Sequence, residues 1–328
     1  MKTRNASRIF SIAIIAGLAA SQHIKAQTYP TRTIVVVTPY AAGGPTDVLA
    51  RILSEALRKP LGQSVIVDNV TGAGGSIAVG RVARAAPDGY QLSFGHWGSH
   101  VVNGAYYTLP FDLLTDLEPV GQVASNPQII VSKPAVPAKN LKELIAWAKA
   151  NQGRFLVGSG GIAASSHMGG IYFQHLIGAK FDFVHYRGGA PAMQALLSGE
   201  IDLYVTQVAG SVQHVRTGKL RAYAVTAKTR QEAAPDIPTV DEAGAPGLYV
   251  SVWHAMWAPK RTPREVINRL NGAMMEALAD AGVRKRFIDL GQELPSRDEQ
   301  TPQALAAWHK AEIDKWWPLI KAAGLKAD

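Results

Sequence analysis

The chain contains no cysteine. Disulfides, thiolate catalysis and cysteine-based zinc sites are therefore excluded, and stability must come from a packed core. Beyond residue 20 no apolar run approaches the roughly 20 residues that a membrane helix needs. Lysine and arginine are scattered among the acids, whereas a nucleic-acid surface needs a basic patch or stripe. H-E-x-x-H and G-x-S-x-G are missing, and no Walker lysine follows any Gly-rich stretch.

What is present begins with an expected export signal. Lys2, Arg4 and Arg8 precede an apolar run at residues 9–20, and cleavage is expected after Ala26. A retained anchor is the alternative. The lack of cysteine excludes a lipid-anchored form, and without a twin arginine the chain is expected to cross the membrane unfolded. Cleavage removes Lys2, Arg4, Arg8 and Lys25 but no acid, so the formal charge falls from +9 to +5. This mild basicity suits an anionic ligand. The 328 residues can bury a large core, and that length favours two domains.

Two stretches share one grammar: TIVVVTPYAAGGPTD at 33–47 and FLVGSGGIAASSH at 155–167. Each reads as a buried strand, a Gly-rich turn and a helix start. A helix N-terminus offers unpaired N–H groups and partial positive charge, and glycine lets an anion approach. In the first stretch Tyr40, Ala42, Gly43, Gly44 and Asp47 are the candidate ligand residues. Asp47 is expected to hold the loop's own N–H groups or a ligand amine. In the second they are Ser159, Gly160, Gly161, Ser165 and His167. The alternatives are an ordinary turn, a capping Ser165 and a core His167.

Further loops follow the same order. HYRGGAPA at 185–192 offers Arg187, Gly188 and Gly189, with backbone N–H groups favoured over the arginine side chain. GHWGSH at 95–100 ends a strand, where α/β sheets place ligands, so His96 and Trp97 are candidates. Trp253 or His254 in SVWHAMW is another. His96 and His100 have i,i+4 spacing, but no third metal ligand lies nearby in sequence. Gly158, Gly160 and Ala163 fit a dinucleotide fingerprint, yet the acid expected at the end of the next strand is missing. Ser165, Ser166 and His167 are adjacent, so they point apart and make no catalytic pair. No metal and no cofactor are expected.

Strands are expected at 34–37, 64–67, 91–94, 120–124, 128–132, 183–186, 201–206 and 220–226. Helices are expected at about 46–58, 72–82 and 140–150, with Asn140 as N-cap. The C-terminal remainder reads as helical, with starts at Thr262–Pro263 and Thr301–Pro302. Trp308 and Trp316 of the last helix are expected in the core. The β-α alternation gives an α/β fold of two units, the second inserted into the first. The expected division is 27–124 with 228–328 for one lobe and 125–227 for the other, with a hinge of two crossing strands near Ala124 and 225–227. Such a protein closes on its ligand.

Seven segments in order carry a resemblance: YPTRTIVVVTPYAAGGPTD, DNVTGAGGSIA, PDGYQL, LPFD…DLEPVGQVA, GSGGIAASSH, VHYRGGAPAMQALLSGEIDLY and PDIPTVDEAG. Over the mature chain the protein resembles the substrate-binding receptors of tripartite tricarboxylate transporters, the Bug-type periplasmic proteins. The resemblance implies a type II periplasmic-binding-protein fold and a deep cleft between lobes. It also implies a ligand carboxylate held by loops 39–47 and 158–167 through backbone N–H groups and bridging waters, with loop 187–189 lining the same cleft. The implied partner is a membrane permease, and the receptor is expected to be a monomer. Ala42 stands where the family more often has proline. HWGSHVVNGAYY departs from the family's small polar stretch, so His96 and Trp97 are expected to select the distal part of the ligand, favouring an aromatic or long dicarboxylate. An exported enzyme acting on a small carboxylate and a receptor feeding a sensor are the rival readings.

Overall fold

The structure, a computed structural model, describes residues 29–326. The expected export signal and its cleavage point lie outside them. The first βαβαβ series is β1 (Ile34–Thr38), α1 (Pro45–Leu61), β2 (Val65–Asn69), α2 (Ser76–Ala83) and β3 (Gln91–His96), followed by a short α3 (Asn103–Tyr106). β1 lies between β2 and β3, parallel to both. Ile34, Val36 and Val37 are fully buried, as a strand covered on both faces requires. Leu49, Ile52, Leu53 and Leu57 of α1 form the stripe that packs on this sheet. Gly62 ends α1 in the left-handed region, at φ 68°.

A long strand, β4 (Leu117–Ser132), leads into a second series. It comprises α4 (Leu141–Ala150), β5 (Leu156–Ser159), α5 (Ser165–Ile177), β6 (Asp182–His185), α6 (Gly189–Ser198), β7 (Leu203–Gln207), α7 (Val212–Arg216) and β8 (Arg221–Val225). The chain then returns through β9 (Ser251–Pro259), α8 (Arg264–Ala279), α9 (Ala281–Asp289) and α10 (Pro302–Ala322). The strand order is β2-β1-β3-β9-β4-β7-β5-β6, with β8 also paired to β4. The fold is α/β, a two-lobed periplasmic-binding-protein fold with the second unit inserted into the first.

β4 carries this architecture. From Leu117 to Pro127 it pairs antiparallel with β9. From Gln128 to Ser132 it pairs with β7, and it meets β8 over nearly the same stretch. The changeover falls at Pro127, which has no N–H to give a ladder. Thr226 stitches the return crossing to it: Gln128 N–H donates to Thr226 Oγ1 at 2.9 Å, and Thr226 Oγ1 donates to the Val250 carbonyl at 2.6 Å.

Several expectations change. The strands expected at 120–124 and 128–132 are one strand. β9 is not expected and interrupts the remainder expected to be helical, whereas α9 falls within it; β9 reads as neither alternating nor helical, because eight of its nine residues are buried. Thr262 does not cap α8. Its hydroxyl donates to the Pro259 carbonyl, and Pro263 holds the N-cap position. Trp308 is 41 % exposed, whereas Trp316 is 1 % exposed and in the core. Asn140 and Thr301 do cap α4 and α10, accepting from Glu143 N–H and Ala304 N–H.

Candidate functional site

Strand direction places the loops. β3 is antiparallel to β9 and β9 to β4, with His96 opposite His254 and His254 opposite Ala124. The carboxyl ends of β1 and β3 therefore point toward the changeover at Pro127. In the other half Gln207 of β7 lies opposite Gln128, Tyr204 beside Gly158, and Ser159 beside His185. The carboxyl ends of β5 and β6 point toward the same changeover from the opposite side. The four loops after β1, β3, β5 and β6 thus converge on a crevice beyond the strand ends, where α/β sheets bind ligands.

In the first loop Gly43 has φ 82°, which favours glycine. Its N–H donates to Asp47 Oδ2 at 2.8 Å. The same carboxylate accepts from Arg51 Nε at 2.9 Å and, through Oδ1, from Asn69 Nδ2 at 2.9 Å. Burial opposes the ionisation of Asp47, but the hydrogen bonds from Arg51, Gly43 and Asn69 outweigh it and hold the carboxyl below its ordinary value. Asp47 is 2 % exposed and shapes the loop from beneath, so it is not placed to touch a ligand. Ala42 and Gly43 are exposed and Gly44 half-buried. Pro45 opens α1, and its first backbone bond runs from Val48 N–H to Gly44 O. The first-turn N–H groups of Thr46 and Asp47 precede that bond and have no intrahelical acceptor. Asp47→Ala is expected to cost about 2 kcal/mol of stability, since it removes the acceptor of the Gly43 N–H and of Arg51 Nε and one of the three acceptors of the Asn69 amide. Urea unfolding measures this, and an unchanged midpoint would refute the loop-shaping role.

The second loop is built alike with different atoms. Gly160 N–H donates to Ser166 Oγ at 2.9 Å, and Ser159 Oγ lies 2.6 Å from His185 Nδ1. Ala163 N–H donates to His167 Nδ1 at 3.1 Å, which leaves the ring proton on Nε2. Desolvation, then the neighbouring His185 ring at 4.5 Å, lowers the His167 pKa to about 4, so the ring is neutral near pH 7. The first backbone bond of α5 runs from Met168 N–H to Ala164 O. Ser165, Ser166 and His167 therefore present the first-turn N–H groups. Gly161 has φ 132° and is half-buried.

The third loop is tied to the second. Gly188 N–H donates to Gly160 O at 3.1 Å, so it is not free for a ligand as expected. A side chain on Gly160 would meet the Gly188 carbon and Gly189 nitrogen at 3.3 Å. Gly189 opens α6 and keeps its first-turn N–H. Arg187 is exposed.

The tryptophans behave differently from expectation. Trp97 is 2 % exposed, in edge-to-face contact with Trp316 at 4.9 Å. Trp253 is fully buried, and its indole N–H donates to Glu312 Oε2 at 3.1 Å. Both are core residues, not cleft lining: each occupies a position whose side chain faces α10. His96 does reach the crevice edge. Its ring stacks on Tyr40 at 4.5 Å and 15°, and both residues are half-buried. Gly98 N–H donates to His96 Nδ1 at 2.8 Å, which fixes the proton on Nε2, and desolvation lowers the pKa to about 4. His100 is stacked on Trp257 at 3.8 Å, away from any metal role with His96. Among the described residues no group of three or more His, Asp or Glu is placed to hold a metal. Sequence reasoning missed Asn69 and His185, and it did not foresee Ser166 as the acceptor of the Gly160 N–H. Their partners are loop atoms 6 to 29 residues away, a separation that no local motif encodes.

Two lobes joined by crossing strands, with helix N-termini converging on the crevice between them, define a solute-binding receptor. The chain belongs to the tripartite tricarboxylate transporter family receptors (TctC), whose model matches residues 49–325. It is similar to the periplasmic binding protein BugD, at 40 % identity over 91 % of this chain and 100 % of that one, TM-score 0.71. It is similar to MatC from Rhodopseudomonas palustris, solved with bound malate, at 35 % identity over 89 % and 100 % of the two chains, TM-score 0.71. It is also similar to R. palustris Rpa4515, solved with adipate, at 30 % identity over 91 % and 100 %, TM-score 0.73. Among the described residues no helix is long and apolar enough to cross a membrane.

Proposed function

We propose that this receptor binds a small carboxylate in the crevice and delivers it to a tripartite membrane permease from the periplasm, acting as a monomer with no nucleic-acid partner. The observation that carries the reading is the convergence of the first-turn N–H groups of α1 and α5 on the changeover at Pro127. Fixed dipoles of this kind hold a carboxylate without a buried cation. The lobes 27–124 with 228–328 and 125–227 close on the ligand about β4 and the return crossing. Relatives bound to malate and adipate support a carboxylate, with an aliphatic dicarboxylate as one candidate.

Receptor rather than enzyme is favoured by the chemistry of the loops. Ser159 of the second loop contacts His185, but it is fully buried with its hydroxyl also bonded to Gly161 O at 3.2 Å, and Ser93 and Ser99, which contact His100, are buried as well. A nucleophile must reach its substrate. The test is a thermal-shift screen of refolded protein against malate, adipate, citrate, aspartate and benzoate. A stabilising acid recovered unchanged supports the reading. Turnover, or no stabilisation by any carboxylate, overturns it.

The distal end of the ligand meets the Tyr40–His96 stack. His96→Ala is expected to change the relative affinity of aromatic and aliphatic acids by about tenfold, or about 1.4 kcal/mol. Titration calorimetry on the panel measures this. An unaltered ranking would move selectivity to the second lobe.

A further inference from the structure

A second cavity lies at the opposite pole of the first lobe. It has a volume of about 440 Å³ and opens where β4 begins, β9 ends and the loop before β3 turns. Leu117 pairs with Pro259 at this end of the sheet, whereas the crevice lies beyond Ala124 at the other end. The volume falls within the range of small-ligand sites, roughly 300–1,000 Å³.

Its chemistry is specific. Pro110 and Phe111 supply an apolar wall. Arg84 and Arg261 stand on the rim, and Lys260 is neutralised by Asp116 at 2.7 Å. Among the described residues neither Arg84 nor Arg261 has a carboxylate within ion-pair distance. Two features build the wall rather than leave it to chance. Gly80 has no Cβ; one placed there would lie 2.8 Å from the Phe111 ring and 3.2 Å from Arg84 Nη1, so ring and guanidinium both sit over that glycine. Arg261 adopts φ 66°, an uncommon conformation for a residue with a side chain, and its N–H donates to Glu118 Oε1 at 3.2 Å. Glu118 thus holds the Arg261 backbone and leaves the guanidinium unpaired.

We infer that this cavity is a second binding site, distinct from the crevice, for a carboxylate carried on an apolar body. The guanidinium groups take the carboxylate in charge-assisted hydrogen bonds, and the Phe111 face takes the apolar part. The carboxylate comes either from a free organic acid or from an acidic side chain next to an apolar one on a partner protein. A single chemistry fits both.

The experiment uses the full mature chain labelled with ¹⁵N and two probes: phenylacetate and a capped Phe-Glu dipeptide. Saturable shifts of the Gly80, Phe111 and Arg261 amides are expected with at least one probe. They are expected to be lost in the Arg84→Gln/Arg261→Gln double variant, whose changes are on exposed side chains. That variant keeps the thermal shift produced by a crevice ligand, so failure here is separable from failure of the carboxylate reading there. Dipeptide binding about tenfold tighter than phenylacetate assigns the site to a protein segment, and the reverse order assigns it to a free acid. Absence of shifts with both probes, or shifts undiminished in the double variant, overturns the proposal.

Discussion

Replacing Trp97 with alanine is expected to lower the free energy of unfolding by about 3–5 kcal/mol and to leave the ranking of carboxylate ligands unchanged. The ring is 2 % exposed and packs edge-on against Trp316. Trp316 donates its indole N–H to Glu312 Oε2 at 3.1 Å, the same oxygen that accepts from Trp253. Trp97, Trp316, Glu312 and Trp253 thus form one buried chain linking the end of β3, α10 and β9. Lys315, one residue before Trp316, lies 3.9 Å from Glu312 and donates to the Tyr249 carbonyl at 2.6 Å. Removing the Trp97 ring opens a cavity beside this cluster, and the side chains around it are too interlocked to collapse into it. Trp97→Phe is expected to cost less, because it keeps a ring and deletes a buried indole N–H that has no acceptor. Chemical unfolding of both variants gives the stabilities, and calorimetry gives the rankings. A changed ranking without lost stability would return Trp97 to the crevice.

His96 and Trp97 show where sequence reasoning stops. Both sit at the end of a strand, and the βαβ order correctly put that strand end beside a crevice. Adjacent residues there point to opposite sides. One stacks on Tyr40 at the crevice and the other enters the core under α10. Residue type cannot tell which, because α10 lies more than 200 residues away in sequence. Much that was legible came from local physics: β-branched runs for buried strands, Gly-rich turns before helices, Asn140 and Thr301 as caps. β9 was illegible for a different reason. It is the central strand between β3 and β4, covered on both faces, so its burial erases the alternation by which strands are read. Asp47 was half legible. The sequence left it to hold either the loop's own N–H groups or a ligand amine, and its acceptance of the Asn69 amide required β2 to lie beside β1.

Acidification from pH 6.5 to 4 is expected to remove several kcal/mol of stability, mostly through buried histidines. His309 is 3 % exposed, and burial lowers its pKa from 6.5 to about 4 despite the hydrogen bond that its Nε2–H donates to the His100 carbonyl. A folded-state pKa below the unfolded one means that the unfolded chain binds the proton first as pH falls. Stability is therefore complete above pH 6.5 and is lost as pH drops through 6.5 toward 4. For His309 alone the loss is about 3 kcal/mol. His167 adds to it in the same window. His100 and His254 are lowered further, by burial first and by neighbouring histidines second, so they extend the loss to more acid pH. His100 is fully buried, with Ser93 and Ser99 hydroxyls meeting its two nitrogens at 3.1 and 3.0 Å and its ring stacked on Trp257. The melting temperature should be level from pH 8 to about 6.5 and then fall steeply. His309→Gln keeps a polar group facing the His100 carbonyl but cannot titrate, so its melting temperature should fall less over the same interval. An equal fall in the variant and the parent would show that the acid sensitivity comes from other groups.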